Sequence, residues 1–272
     1  MKKFILPDPP DSLGKIYLKG NDFHYLVRIR RLGKGSFFKA FLPDGTVKEL
    51  EILSINNEVL TAQCGPEKDT ITKNSNVLPP VYLFQALLKG AKMDLIVRQA
   101  AECGISAVVP FVSEYSQVRI RAGGAASVNK DESTEKTRRW NRIIREARQQ
   151  SGSAIPTQIN APCNFDEIFL FWEQLNKKDA GGVGIFFHQD HLESGTLHDH
   201  LGNKPGFVVM AVGPEGGFSP AETQRFKAAG FNSLVLGDNI LRAETAALYG
   251  AAAIQTILSE RASWLLKTDQ KP

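Results

Sequence analysis

Two loops near the C-terminus concentrate the residues that could do chemistry. Gly213-Pro214-Glu215-Gly216-Gly217-Phe218 follows the apolar run from Phe207 to Val212, and Leu236-Gly237-Asp238-Asn239-Ile240-Leu241-Arg242-Ala243-Glu244 follows the shorter run from Leu234 to Leu236. Each run reads as a buried parallel strand, so each loop falls where a strand hands over to a helix, the usual place for a ligand in an open α/β sheet. Neither loop has the spacing of a dinucleotide fingerprint, and no Gly-Lys-Ser/Thr follows, which argues against a phosphate cradle. The glycines would instead let the backbone approach a flat or bulky ligand, or supply positive φ in tight turns. One such loop alone reads as an ordinary turn; two on one sheet predict a shared pocket.

The elements that must hold these loops begin at Val81, where strand and helix alternate and predict a mainly parallel sheet covered on both faces. Strands are expected at Val81 to Leu87, Ala107 to Phe111, Val183 to Phe187, Phe207 to Val212 and Ser233 to Leu236. Ser219-Pro220-Ala221-Glu222 is a capping box with proline at the first helical position, so Ser219 and Glu222 read as a helix start and Gly230 as its end. Ala243 to Ser259 reads as the last long helix, rich in small residues that permit close packing or a dimer interface. Val118 to Lys136, with Gly123-Gly124, reads as a mobile loop. The helix after it places Trp140, Ile143, Ile144 and Ala147 on one face and Arg138, Arg142 and Arg145 on the other. Such an arginine face is either solvated or a phosphate-binding surface, and the guanidinium fork suits the second.

The first ~70 residues differ in pattern. Short β-like runs at Lys15 to Leu18, Ser36 to Leu42, Val47 to Ile55 and Val59 to Gln63, separated by Pro43-Asp44-Gly45 and Asn56-Asn57, predict a small barrel. Thr70 to Pro80 reads as a linker.

The net charge is +4 over 272 residues, but it is unevenly spread: residues 119–148 carry nine basic against four acidic side chains, and 149–272 nine against thirteen. Positive charge thus lies away from the glycine loops, as expected if one part grips phosphates while another holds a small ligand. The apolar run near Met1 is too short for a signal peptide, and no stretch is long enough to span a bilayer. Cys64, Cys103 and Cys163 form no Cys-x-x-Cys pair, which supports neither a disulfide framework nor a zinc site. His188, His191, His198 and His200 lack a second ligand cluster and read as polar surface, so no metal is expected. The expected location is cytoplasmic.

The paired glycine loops resemble the AdoMet-binding motifs of the SPOUT class, and in detail those of the RsmE family, which methylates N3 of a uridine in 16S ribosomal RNA. The resemblance extends to His24-Tyr25-Leu26-Val27-Arg28 with Gly33, to Lys89-Gly90, Lys92-Met93-Asp94, Ala101-Glu102-Cys103-Gly104-Ile105, Pro110 and Ser113-Glu114, and to Arg145-Glu146-Ala147, Gln150-Ser151 and Ile155-Pro156. It spans nearly the whole chain. It implies a PUA-like RNA-binding β-barrel over 1–72, a linker over 73–80, a SPOUT methyltransferase domain with a trefoil knot over 81–263, and a tail over 264–272. It also implies S-adenosyl-L-methionine held by Gly213, Pro214, Glu215, Gly216, Gly217, Leu236, Gly237, Ile240 and Leu241. The RNA-binding residues it implies are His24, Arg28 and Arg31 in the barrel and Arg138, Arg142 and Arg145 beyond it.

Methylating N3 of uracil requires loss of its proton, and Arg242 and Glu244 are the expected catalytic residues. Arg242 would stabilise charge on a uracil oxygen, and Glu244, with Glu215 behind it, would accept the proton. Alternatively, Glu244 simply favours the helix start electrostatically and pairs with Arg242. The chain departs from the family pattern at Asn239, Tyr115 and Ser153-Ala154, where basic residues are implied; these changes bear on RNA contacts more than on the cofactor. The expected partners are 16S rRNA or the small subunit and a second copy of the chain, without metal or membrane. A ribose 2′-O or transfer-RNA methyltransferase of the same class, or a non-catalytic RNA-binding relative, remains open at this stage.

Overall fold

Apolar and polar residues alternate along Glu49-Leu50-Glu51-Ile52, and exposed Phe37 and Lys39 alternate with Phe38 and Ala40, so Phe38, Ala40, Leu50 and Ile52 turn to one face and are buried. In the computed structural model, which describes residues 4–42, 46–65, 78–117, 130–190, 192, 195–202 and 205–268, these segments belong to the first of two units. That unit comprises residues 1–75 and 148–156, and the second comprises 76–147 and 157–272. The side chains of 130–134 and 261–268 lie outside the description.

The first unit is a curled mixed sheet. Its strands are β1 (Phe4–Ile5), β2 (Lys15–Leu18), β3 (Phe37–Phe41), β4 (Val47–Asn56) and β5 (Val59–Cys64), in the order β1-β3-β4-β5-β2, with only β1 and β3 parallel. Asn56 pairs with Val59, so the hairpin turn is Asn57-Glu58, one residue later than expected; both have positive φ, 46° and 61°. That geometry matches the right-handed twist of the flanking strands. Between β2 and β3, helix α1 (Gly20–Phe23) runs into a π-helical turn at His24–Ile29 that buries Phe23 and Leu26 and exposes His24 and Arg28. The expected Pro43-Asp44-Gly45 turn, and residues 70–77 of the expected linker, lie outside the described residues.

In the second unit the long apolar runs become parallel strands: β6 (Val81–Ala86), β7 (Ala107–Val112), β8 (Gln158–Ile159), β9 (Cys163–Asn164), β10 (Gly182–Phe187), β11 (Phe207–Val212) and β12 (Asn232–Leu234). The order is β12-β10-β11-β6-β7-β8, with β9 also on β7. Helices α2 (Lys92–Cys103), α3 (Lys130–Ser151) and α7 (Ala243–Thr268) contribute Ile96, Trp140 and Ile254 to the core on one face. Helices α4 (Glu167–Lys178) and α6 (Pro220–Ala228) contribute Phe169 and Phe226 to an aromatic core on the other, and α5 (Leu197–His200) is a single short turn. This is the expected sheet covered on both faces.

Several boundaries differ from expectation. Helix α3 begins at Lys130, inside the stretch read as a loop, because Lys130 to Glu135 contains neither glycine nor proline; residues 118–129 lie outside the described residues. Helix α7 continues nine residues past Ser259 for the same reason. Strand β12 starts and ends earlier than the apolar run suggests. The pair β8 and β9 was not visible in the pattern. The Ser106 and Val108 carbonyls accept from Gln158 and Asn160, so Pro110 turns its missing N–H to the side where the ladder is broken between Ile159 and Cys163. The Cys163 thiol donates to the Pro110 carbonyl at 3.5 Å. Burial, the largest influence, pushes that thiol up to about 12, and burial also raises Cys64 and Cys103.

Gly250 in α7 faces Phe187 at the end of β10, and a Cβ there would overlap the ring. Gly250→Ala should therefore destabilise the protein by about 1–3 kcal/mol despite the better helix propensity of alanine. Urea unfolding tests this, and an unchanged or higher midpoint would show that the Phe187 ring yields freely.

Candidate functional site

Because β10, β11 and β12 are parallel neighbours of one sheet, the loops that follow them emerge at the same edge. The His188 N–H bonds to the Leu234 carbonyl at 3.0 Å, tying the first and third of these loops together. In the second, the Gly217 N–H bonds to the Pro214 carbonyl at 2.9 Å. Gly217 has φ of +72°, and a Cβ on Gly213 would lie 3.2 Å from the Gly217 carbonyl carbon, so this turn needs both glycines. Gly237 in the third loop has φ of +149°, again outside the range of an ordinary side chain.

The three loops enclose a cleft of about 310 Å³. Gly213, Pro214, Glu215, Gly216, Gly217, Leu236, Gly237, Ile240, Leu241 and Arg242 all line it, together with Phe187, His188 and Gln189. The expected shared pocket is therefore a geometric fact, at the lower end of the size range for small-ligand sites. Its walls are largely backbone and apolar side chain.

Glu244 does not line the cleft but stands in the first turn of α7, with Oε2 buried and unpaired. Nearby, Lys92 at the start of α2 donates to Glu215 Oε1 at 2.6 Å. That hydrogen bond, the largest influence on both groups, holds Glu215 below the usual carboxylate range and lifts Lys92 above the usual lysine range. Glu244 adds to the rise of Lys92, and Arg242 opposes it. Lys92, Glu215, Arg242 and Glu244 thus form one charge cluster at the cleft edge. No local pattern assigns Lys92 a role, because its partner is 123 residues away.

Glu222 has a second part that its capping box does not reveal. Besides the reciprocal bonds with Ser219, its buried carboxyl accepts from Ser113 Oγ at 3.0 Å and from the Glu114 N–H at 2.9 Å. The turn after β7 is thereby fixed beside the Gly213–Phe218 loop, and a Cβ on Gly216 would lie 3.0 Å from Tyr115 Cβ.

The RNA-binding candidates lie elsewhere. His24, Arg28 and Arg31 are exposed in the first unit, Arg31 with φ of +54°. Arg138 and Arg142 are exposed on α3 and line a groove of about 470 Å³ with Lys136 and Arg139, while Arg145 on that helix is half-buried. Asp94 anchors the helix by pairing with Arg139 and accepting from Trp140 Nε1 at 3.2 Å. Among the described residues, no group of three or more His, Cys, Asp and Glu side chains is placed to hold a metal ion; His191 lies outside them. Among the same residues, no helix is long and apolar enough to cross a membrane.

A parallel sheet covered on both faces, with a cleft built from backbone at one strand edge, defines an α/β ligand-binding domain, and residues 74–255 match the family described as the RNA methyltransferase domain. The chain is 31% identical to ribosomal RNA small subunit methyltransferase E 2 of Borreliella burgdorferi over 88% of this chain and 89% of that one. It is also 31% identical to ribosomal RNA small subunit methyltransferase E of Synechocystis, over 86% and 71%. The methyltransferase E structure from Neisseria gonorrhoeae, bound to S-adenosyl methionine, superposes with a TM-score of 0.72 over 94% of this chain and 98% of that one, at 24% identity. The chain belongs to the ribosomal RNA small subunit methyltransferase E family.

The Lys92–Glu215 pair has a signed pH dependence. Glu215 lies below its ordinary 4.5, so its contribution to stability is lost as pH falls through the lowered value; Lys92 lies above its ordinary 10.5, so its contribution is lost as pH rises through the raised one. The difference in urea midpoint between wild type and Lys92→Met should be largest near neutrality and shrink towards both extremes. A constant difference across pH would exclude the pair as its source.

Proposed function

We propose that this protein methylates N3 of a uridine in 16S ribosomal RNA, using S-adenosyl-L-methionine. The observation that carries this reading is the single cleft built from two glycine loops, in a chain whose relatives are named as ribosomal RNA small subunit methyltransferases. The backbone of Gly213–Gly217 and Leu236–Leu241 fits a cofactor with an uncharged adenosine end, since few charged side chains line the cleft. When bound, the cofactor supplies an electrophilic methyl group on a sulfonium.

The chain's residues then have three tasks: to align donor and acceptor, to exclude water, and to manage one proton. The bound cofactor would supply its methyl group to N3, with the demethylated thioether as the leaving group, and Glu244, whose Oε2 is buried and outside the cleft lining, would take the N3 proton through a water molecule. Arg242 stabilises the negative charge that develops on a uracil oxygen. Lys92, on α2, tethers the Gly213–Phe218 loop through Glu215.

In this reading residues 1–72 are a PUA-like RNA-binding barrel, 73–80 a linker, 81–263 a SPOUT domain with a trefoil knot, and 264–272 a tail. Insertion of β11 between the earlier strands β6 and β10 supports the knot. The exposed stripe Leu248, Tyr249 and Ala252 on α7 supports a two-fold homodimer. His24, Arg28, Arg31, Arg138, Arg142 and Arg145 contact the RNA, and the enzyme works in the cytoplasm.

Mass mapping of small-subunit rRNA from cells with and without the gene decides the substrate; a methyl group on a ribose oxygen or on transfer RNA would replace it. Saturating S-adenosyl-L-methionine should raise the melting temperature of wild type, and Gly237→Val should abolish that shift. Absence of any shift in wild type would remove the cofactor from the proposal. Arg142→Ala should weaken RNA binding and reduce its salt slope by about 1 with cofactor binding intact, whereas Arg242→Ala should lower turnover more than binding.

A further inference from the structure

A uracil whose N3 is to be methylated must leave its stacked position, because the reacting nitrogen is otherwise turned towards a pairing partner and its faces are covered. Unstacking costs a few kcal/mol, and enzymes recover part of it by offering a flat side chain to the extruded base. The turn after β7 presents such a side chain. Tyr115 is 47% exposed, and among the described residues its ring and hydroxyl have no hydrogen-bonding or aromatic partner.

Its backbone, by contrast, is fixed. Ser113 and Ser116 are buried on either side of it; Ser113 N–H bonds to Ser116 Oγ at 3.2 Å and Ser116 N–H to the Ser113 carbonyl at 3.0 Å. Glu222 then locks Ser113 and Glu114 to the start of α6. An exposed aromatic ring on a rigid turn is the arrangement expected of a preorganised contact, since a merely surface-lying tyrosine does not need its neighbours held this closely.

The position of the ring is equally specific. The root of Tyr115 lies against Gly216 in the cleft loop, and the preceding residue, Glu215, carries the ion pair to Lys92 beside Arg242 and Glu244. Consecutive residues of one loop thus join the aromatic ring to the charge cluster. Ile240, at 84% exposure, is the most exposed of the large apolar side chains that line the cleft, but it has no flat face.

We propose that Tyr115 is the stacking platform for the extruded acceptor pyrimidine, a role that rests on the methyl-transfer reading above. A planar ring is the requirement, so the hydroxyl is dispensable. Tyr115→Arg, which restores the basic residue implied by the family resemblance, also offers a planar group and should retain activity.

The test uses the full-length protein, unmodified small ribosomal subunits and S-adenosyl-L-methionine labelled in the methyl group. Y115L and Y115A should lower kcat/KM for the subunit by roughly tenfold to hundredfold, while Y115F and Y115W stay near wild type. Cofactor affinity and the urea midpoint should stay unchanged in all four variants. Y115L at the wild-type kcat/KM would overturn the proposal, as would Y115F as impaired as Y115L, which would assign the role to the hydroxyl. Loss of cofactor affinity in Y115L would also overturn it, by reducing Tyr115 to a support for Gly216. A wild-type protein that transfers no methyl group would remove the function and the platform together, whereas an active wild type with any of the preceding results removes the platform alone.

Discussion

The candidate site depends first on one buried carboxyl group. Glu222 accepts from the Ser219 N–H at 3.0 Å as part of its capping box, and from Ser113 Oγ and the Glu114 N–H across the sheet. Three donors satisfy a group that would otherwise be costly to bury, and leaving such a buried group short of one partner typically costs about 1–3 kcal/mol. The geometric effect matters more. Ser219 ends the loop that lines the cleft, and Ser113 begins the turn that carries Tyr115, so one side chain sets the distance between them. A helix start has become the rivet between two loops separated by more than 90 residues of sequence.

That rivet works because the sheet beneath it is rigid. Phe111, Phe186, Phe218 and Phe226 pack on one face, with Phe111 and Phe218 stacked at 6.4 Å and Phe186 and Phe226 at 5.2 Å. Phe218 is the last residue of the cleft loop, so the loop is anchored in the core at one end and capped by Ser219 just after it. The other face is smoother, with Ala243, Ala247 and Ala251 bringing α7 close to the strands. Cleft walls made of backbone tolerate little movement, and both faces restrain them.

Much of this was legible in the sequence, for identifiable reasons. Apolar runs that lead into a glycine-bearing loop announce buried strands and the loops at their ends, and Gly213–Gly217 and Leu236–Leu241 lie where that pattern puts them. Ser219 and Glu222 announce a helix start because a capping box is local. The remaining features were silent because their causes are not local. Lys92 meets Glu215 across 123 residues, and Glu222 meets Ser113 across 109. Short strands such as β8 and β9 carry no periodicity to detect, and the broken ladder opposite Pro110 appears only once the strands are paired. Helix ends are hard to read where composition gives no boundary signal: Lys130 to Glu135 is polar like a loop, and the residues from Glu260 to Thr268 hold neither glycine nor proline to mark a stop.

The three cysteines carry a practical consequence. Burial raises every thiol and pushes Cys163 up to about 12, so thiolate at Cys163 is scarce at neutral pH. An alkylating reagent or fluorescent maleimide therefore finds little thiolate to attack at Cys163. A cysteine introduced on an exposed surface would react ahead of Cys163, so a spectroscopic label can be placed at a chosen point with Cys163 left in the sheet and only Cys64 and Cys103 replaced.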